Sequence, residues 1–218
     1  MEILKKRLDS KKLFVFDFDG VLADSVNIKT SAFAEIYKPY GKSIVEKVIN
    51  HHNSNGGMSR FKKFKYYHKT YLEKDIDKIQ IQHLSNQFSN IVLKEVVASD
   101  WIPGAKEYLE RLYTNKICCE IISATPQDEL EIIIKQRDMK KYFSAVYGSP
   151  ASKYDNLEIS LKKNNLIPED VVFFGDAIAD WEASNEMGVL FVGVGKLIKD
   201  ELKYSKANNI FIENFKHA

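Results

Sequence analysis

Leu13-Phe14-Val15-Phe16-Asp17-Phe18-Asp19-Gly20-Val21 is the stretch on which the fold turns. Leu13 to Phe16 is apolar and β-prone, and it runs into two acids and a glycine, residues that favour a loop over continued strand. A strand therefore delivers carboxylates at its C-terminal end. The pattern returns at Ile117 to Ile122 before Ser123-Ala124-Thr125-Pro126, and at Val171 to Phe174 before Gly175-Asp176. Ala145 to Tyr147 and Leu190 to Val194 supply further strands, and Asn209 to Phe215 a short last one. Helical patterns lie between them at Gly104 to Tyr113, Gln127 to Arg137 and Tyr154 to Asn164. This alternation implies an α/β, Rossmann-like parallel sheet with helices on both faces, in which ligands bind beyond the carboxyl ends of the strands.

From about Ala23 to Leu93 the alternation stops, and helix-like stretches rich in Lys, Tyr and Phe contain no buried-strand run. The reading is a catalytic core of residues 1–22 and 94–218 with an inserted α-helical cap domain of residues 23–93. Asn53-Ser54-Asn55-Gly56-Gly57 reads as a loop inside the cap, because two glycines and three small polar residues hold no regular element cheaply.

Bulk composition narrows the class. The 218 residues are 44% hydrophobic, ordinary for a globular chain, and 32 basic against 30 acidic side chains leave no long-range field to draw nucleic acid or membrane. Cys118 and Cys119 are adjacent inside an apolar run, unlike a disulfide framework, and read as core residues. No apolar run reaches the roughly 18 residues of a membrane span, and Met1 to Ser10 lacks a signal-peptide core. The expectation is a cytoplasmic monomer or small homo-oligomer.

Asp17 and Asp19, two apart at a strand terminus, leave the same face of the pleat if strand geometry persists. One ionised carboxylate can attack phosphorus while the other, protonated at the right moment, gives a proton to the leaving alkoxide. The plain alternative is two acids facing water. Asp176 and Asp180 form a second pair after another strand, and hard oxygen ligands from two strand ends are what magnesium prefers. Helix N-capping by Asp176 is the competing account. Ser123 offers a hydroxyl, with neighbouring backbone N–H groups, to a phosphate oxygen, and Lys153 offers a compact positive charge. Taken singly, they read as a turn residue and a solvated lysine.

In this order the residues resemble the haloacid dehalogenase-like superfamily: an Asp-x-Asp block at Asp17-Phe18-Asp19-Gly20-Val21, a serine in Ile121-Ile122-Ser123-Ala124, the lysine Lys153, and a terminal acidic block of Gly175-Asp176 with Asp180. Trp101-Ile102-Pro103-Gly104 is similar to the family's link from cap back to core. The resemblance implies a magnesium-dependent hydrolase with Asp17 as nucleophile and metal ligand. It makes Asp19 the general acid and base, with its backbone carbonyl on Mg2+, and Asp176 a direct ligand. Asp180 would order bound water or Lys153, while Ser123, Ala124 and Lys153 hold the phosphoryl oxygens. Because the superfamily's dehalogenases lack the second aspartate, Asp19 favours phosphoryl transfer. One departure concerns Lys153, which is followed by Tyr154 where relatives with helical caps often place a proline.

Within the insertion, Gly56-Gly57-Met58-Ser59-Arg60 resembles the cap loop of the beta-phosphoglucomutases, which implies that Gly57, Ser59 and Arg60 approach the substrate. Ser59 also reads as a plain N-cap, and Arg60 as a surface arginine at a helix start. Lys62, Lys63, Lys65 and Lys69 alternate with Phe61, Phe64, Tyr66, Tyr67 and Tyr71; helical spacing favours a packed aromatic face with the lysines outside over nucleic-acid contact. His51 and His52 read as solvent-exposed. Three functions compete: a phosphatase acting on a small phosphorylated metabolite, a sugar phosphomutase, and a non-catalytic binding module, against which the intact Asp17 and Asp19 speak.

Overall fold

The computed structural model describes residues 6–205 and 209–217. Leu13–Phe16 forms β1, and the later strands are β2 (Cys118–Pro126), β3 (Ala145–Ser149), β4 (Val171–Gly175), β5 (Leu190–Val194) and β6 (Ile210–Ile212). They make one sheet of order β3-β2-β1-β4-β5-β6, with every neighbouring pair parallel. Chain direction across the sheet reverses between β1 and β4, the place where open parallel sheets open a crevice at their carboxyl ends. Phe16 pairs with Ile121 on one side and Phe174 on the other, so β1 and β4 end within one residue of each other, while β2 runs on to Pro126. The ladder runs one step further through the Asp17 N–H, which donates to Phe174 O at 2.9 Å.

Both faces of the sheet are covered, which is why its strands are continuous apolar runs. Phe14, Phe16, Ile121 and Phe174 pack under Tyr108, Leu109 and Leu112 of α5 (Ala105–Thr114) and Leu130 and Ile133 of α6 (Gln127–Gln136). On the opposite face Leu13, Val15, Ile122, Val171 and Phe173 meet Leu157 and Leu161 of α7 (Lys153–Asn164). Each such buried side chain contributes about 1.5–3 kcal/mol relative to an exposed one. α8 (Ile178–Met187) and α9 (Lys196–Glu201) complete the layers.

Four helices stand between β1 and α5: α1 (Val26–Tyr37), α2 (Lys42–Ser54), α3 (Arg60–Tyr71) and α4 (Lys78–Ala98). Phe33, Tyr37, Phe64, Tyr67 and Phe88 are their shared core, with the Phe33 and Phe88 rings 4.5 Å apart. The cap boundary expected at residue 93 falls inside α4. That helix starts at a reciprocal Asp77–Gln80 capping box and continues to Ala98, because Val92 and Val96 prolong its buried stripe and no breaker interrupts it. The loop expected from Asn53 is shorter than expected, since α2 runs through Ser54.

Two local expectations are corrected. His52 is buried, not exposed: it follows Val48 by one turn on the inner stripe of α2, and its ring lies 4.8 Å from Phe33. His51 is half-buried, its ring stacked 4.3 Å from Tyr66. Lys62, Lys65 and Lys69 are exposed as expected, but Lys63 is buried at 1% exposure, because it shares the inward stripe of α3 with Arg60, Phe64 and Tyr67.

Candidate active site

The level ends of β1 and β4 bring Asp17, Asp176 and Asp180 together, with carboxylate oxygens within 4.8 Å of one another. Asp17 is buried, and both of its oxygens are engaged: Oδ1 accepts the Phe18 N–H at 2.6 Å and Oδ2 accepts Lys153 Nζ at 2.7 Å. Lys153 is the first residue of α7, where a Ser152–Asp155 capping box fixes the helix start. Its ammonium also donates to Asp180 Oδ1 at 2.5 Å. Burial opposes the charge on Lys153, but Asp17 and Asp180 outweigh it and raise the amine above its ordinary range. Asp180, in the first turn of α8, additionally accepts the Ala177 N–H at 3.1 Å.

Charge in this cluster does not balance. Burial first, then Asp17 and Asp180, raise the Asp176 carboxyl well above its usual value. Burial, and then Asp17 against the pull of Lys153, push Asp180 up to about 7. Three converging carboxylates with one ammonium call for another cation, and an all-oxygen donor set suits a hard divalent ion. The residues therefore fit a metal. Asp176 also explains Gly20, where a Cβ would lie 2.0 Å from Asp176 Oδ2 and the backbone φ is +75°. Any other residue at position 20 would displace the acid.

Asp19 sits apart from this cluster, held by a second set of groups. Ser25 Oγ donates to its Oδ1 at 2.6 Å, Thr125 Oγ1 reaches Oδ2 at 3.1 Å, and Lys29 of α1 forms an ion pair with Oδ2. Burial alone would raise this carboxyl, yet Lys29, with the hydrogen bonds from Lys29, Ser25 and Thr125, holds it below the usual range. Asp19 is thus held as a carboxylate by three donors. Ser123 is buried near the end of β2, its Oγ accepting the Thr125 N–H at 3.2 Å, with Ala124 half-buried beside it. β2 extends past the expected Ile122 because pairing with β3 resumes at Pro126 and Ser149 after a register shift.

From above, the loop between α2 and α3 closes on the cluster. A Cβ on Gly57 would lie 2.7 Å from Ala179 Cβ and 3.5 Å from Lys153 Nζ, so only glycine lets the loop approach this far. Ser59 occupies the N-cap position of α3 without a side-chain capping bond. Arg60 is committed elsewhere: Nη1 and Nη2 grip Glu129 of α6 at 2.8 and 2.5 Å, and Nη1 also donates to Ser89 Oγ at 2.9 Å. Lys29, Ser25, Thr125 and Glu129 were missed from sequence. Thr125 follows the apolar run of β2, but no local pattern ties it to a lysine 96 residues earlier.

A Rossmann-like sheet with an acidic cluster and a lysine at its switch point, beneath a helical insertion, defines a hydrolase class. Residues 14–194 match the model of the haloacid dehalogenase-like hydrolases, and the chain belongs to that family. It is 26% identical over 185 residues to a phosphorylated carbohydrates phosphatase of Thermotoga maritima, covering 80% of this chain and 81% of that one. Over 94 residues it is 28% identical to a phosphoglycolate phosphatase of Synechococcus elongatus, covering 42% and 44% of the two chains. Among solved structures, a beta-phosphoglucomutase of Clostridium difficile superposes with a TM-score of 0.76 at 20% identity, covering 94% and 92%.

Proposed function

We propose that this chain is a magnesium-dependent phosphatase that hydrolyses a small phosphorylated metabolite through a phosphorylated Asp17. The observation that carries the reading is the convergence of Asp17, Asp176 and Asp180 around Lys153 at two adjacent strand ends. Asp17, Asp176 and the Asp19 backbone carbonyl would hold Mg2+, with Asp180 behind them. A bound magnesium ion would supply the positive charge that lets a carboxylate approach an anionic ester.

In the first step an Asp17 oxygen forms a bond to phosphorus as the ester P–O bond breaks, and Asp19, having taken the proton of the incoming ester monoanion, passes it to the departing alkoxide. In the second, Asp19 takes a proton from water, whose oxygen attacks phosphorus and frees the Asp17 carboxylate. The carboxylate state in which Lys29, Ser25 and Thr125 hold Asp19 suits this second half. Ser123, the Ala124 backbone and Lys153 would bind the phosphoryl oxygens. The four-helix insertion acts as the lid: Gly57 and Ser59 border the substrate, and Arg60 reaches it only on releasing Glu129.

Phosphorylated carbohydrates and phosphoglycolate, named for the two phosphatases above, set the first substrates to test. Phosphate release from such a panel should require added magnesium, be abolished by chelation, and fall at least about 10⁴-fold in Asp17→Asn. Turnover by Asp17→Asn comparable to the parent would end the proposal. A phosphomutase is the second reading, favoured by the close approach of the Gly57 loop to Lys153, which would shield a phosphoaspartate from water. Isomer formation from a sugar monophosphate without phosphate release would select it.

A further inference from the structure

Lys63 is one of the largest fully buried side chains of the molecule, and it lies in the lid. A buried ammonium normally has a carboxylate beside it, as Lys153 does here. The hydrogen-bond partner of Lys63 among the described residues is instead His52 Nδ1, at 2.7 Å. Burial, with Lys63 and Lys29 adding to it, pushes the His52 imidazolium down to about 3, so the ring is neutral and accepts one of the three ammonium hydrogens. The ring of Phe33 stands 5.6 Å from Nζ. When the amine is protonated, two of its donors have no acceptor and no carboxylate pairs with it among the described residues.

Lys63 follows Arg60 by one turn on the buried stripe of α3, through which that helix grips Glu129 of the core, and its partner His52 precedes by five residues the Gly57 position that closes on Lys153. Lys29, which grips Asp19, and Lys153, which grips Asp17, both act on the charge of Lys63, and so does Asp19 itself. Desolvation and the two neighbouring lysines bring the Lys63 amine down to about 7, an unfavourable state that an arriving anion would relieve. Lys29 and Lys153 are already neutralised by their own aspartates, and Arg60 by Glu129. Of the buried lid cations among the described residues, Arg60 and Lys63, it is Lys63 that has no carboxylate partner. It is on the lid, not the core, so what it meets is the part of the substrate remote from the transferring phosphoryl group.

We propose that Lys63, oriented by His52, recognises a second anionic group on the leaving portion of the substrate, so that the enzyme selects phosphate esters carrying a carboxylate or a further phosphate. This rests on the phosphatase reading above and adds the substrate class to it. Lys63 and His52 are specificity determinants; neither touches the reacting atoms.

The test compares pairs of esters differing in that group: 3-phosphoglycerate against glycerol 3-phosphate for a carboxylate, and fructose 1,6-bisphosphate against fructose 6-phosphate for a second phosphate. The parent protein with magnesium should favour the more anionic member of at least one pair by tenfold or more in kcat/KM, and which pair responds tells the two anions apart. Lys63→Met should bring that ratio close to one, mainly through KM, while Lys63→Arg keeps most of it. Thermal unfolding of both variants checks that they fold. Equal losses on both members of a pair in a folded Lys63→Met, or a preference that survives it, would overturn the inference while leaving the phosphatase reading intact, and so would phosphate release without preference in either pair. No release from these esters or from the wider panel would instead remove the phosphatase reading and the inference with it.

Discussion

Two buried lysines show how differently one side chain is used in the two halves of this molecule. Lys153 of the core is ringed by carboxylates and fixed by a capped helix start. Lys63 of the lid leans on a neutral histidine. Burying an ammonium costs several kcal/mol in either place. In the core that cost is offset by ion pairs that exist before any ligand arrives, whereas in the lid the compensation is left incomplete. The contrast separates a site whose charges are paired in advance from a buried helix stripe that leaves one amine without a carboxylate.

Lys153→Met tests the core half of the contrast and should have the largest effect. It leaves Asp17 and Asp180 facing one another without a counterion, and activity should fall about 10³-fold, roughly 4 kcal/mol of transition-state stabilisation. Magnesium should recover little of it. A loss below tenfold, measured as phosphate release at saturating magnesium, would mean that Lys153 merely fills space. Glu129→Ala sharpens the lid half. It strands the buried Arg60 guanidinium, and loss of one partner from such a pair costs about 3 kcal/mol, seen as a lowered denaturation midpoint in urea. An unchanged midpoint would show that Arg60 finds other acceptors as the lid shifts.

The same contrast explains what could be read from sequence. Core chemistry was legible because three of its functional residues follow apolar runs: Phe16 into Asp17, Ile122 into Ser123, Phe174 into Gly175-Asp176. In a parallel sheet, those ends must meet. Lid chemistry was not legible, since Lys63 is spelled like its exposed neighbours Lys62 and Lys65. Its phase was available: positions 60, 63, 64 and 67 form one helical stripe, yet a charged residue on that stripe reads as an exception to be moved outward. His52, one turn after Val48, was lost for the same reason. The Asp19 clamp required knowing that α1 folds back over the end of β2, a contact between Lys29 and Thr125 with no trace in local pattern.

The smallest effect discriminates between the two lysines without any substrate. Lys63 titrates near 7 in the folded protein against 10.5 for the ordinary side chain. Below pH 7 both folded and unfolded states are protonated, and the fold bears the full cost of the buried charge. Between pH 7 and 10.5 the folded amine is neutral while the unfolded one still binds its proton, so stability contributed by this residue rises with pH across that window. The opposite holds for Lys153, whose amine is raised by its carboxylates, so its contribution is present across the same window and fades only at more alkaline pH. Comparing the parent with Lys63→Met cancels the other titrating groups. The variant's stability advantage should therefore be greatest near pH 6.5 and shrink by on the order of 2 kcal/mol by pH 9.5, followed as urea midpoints. A difference that stays constant over that range would mean Lys63 carries its charge in the folded state as freely as a solvated lysine, and the distinction between the two sites would dissolve.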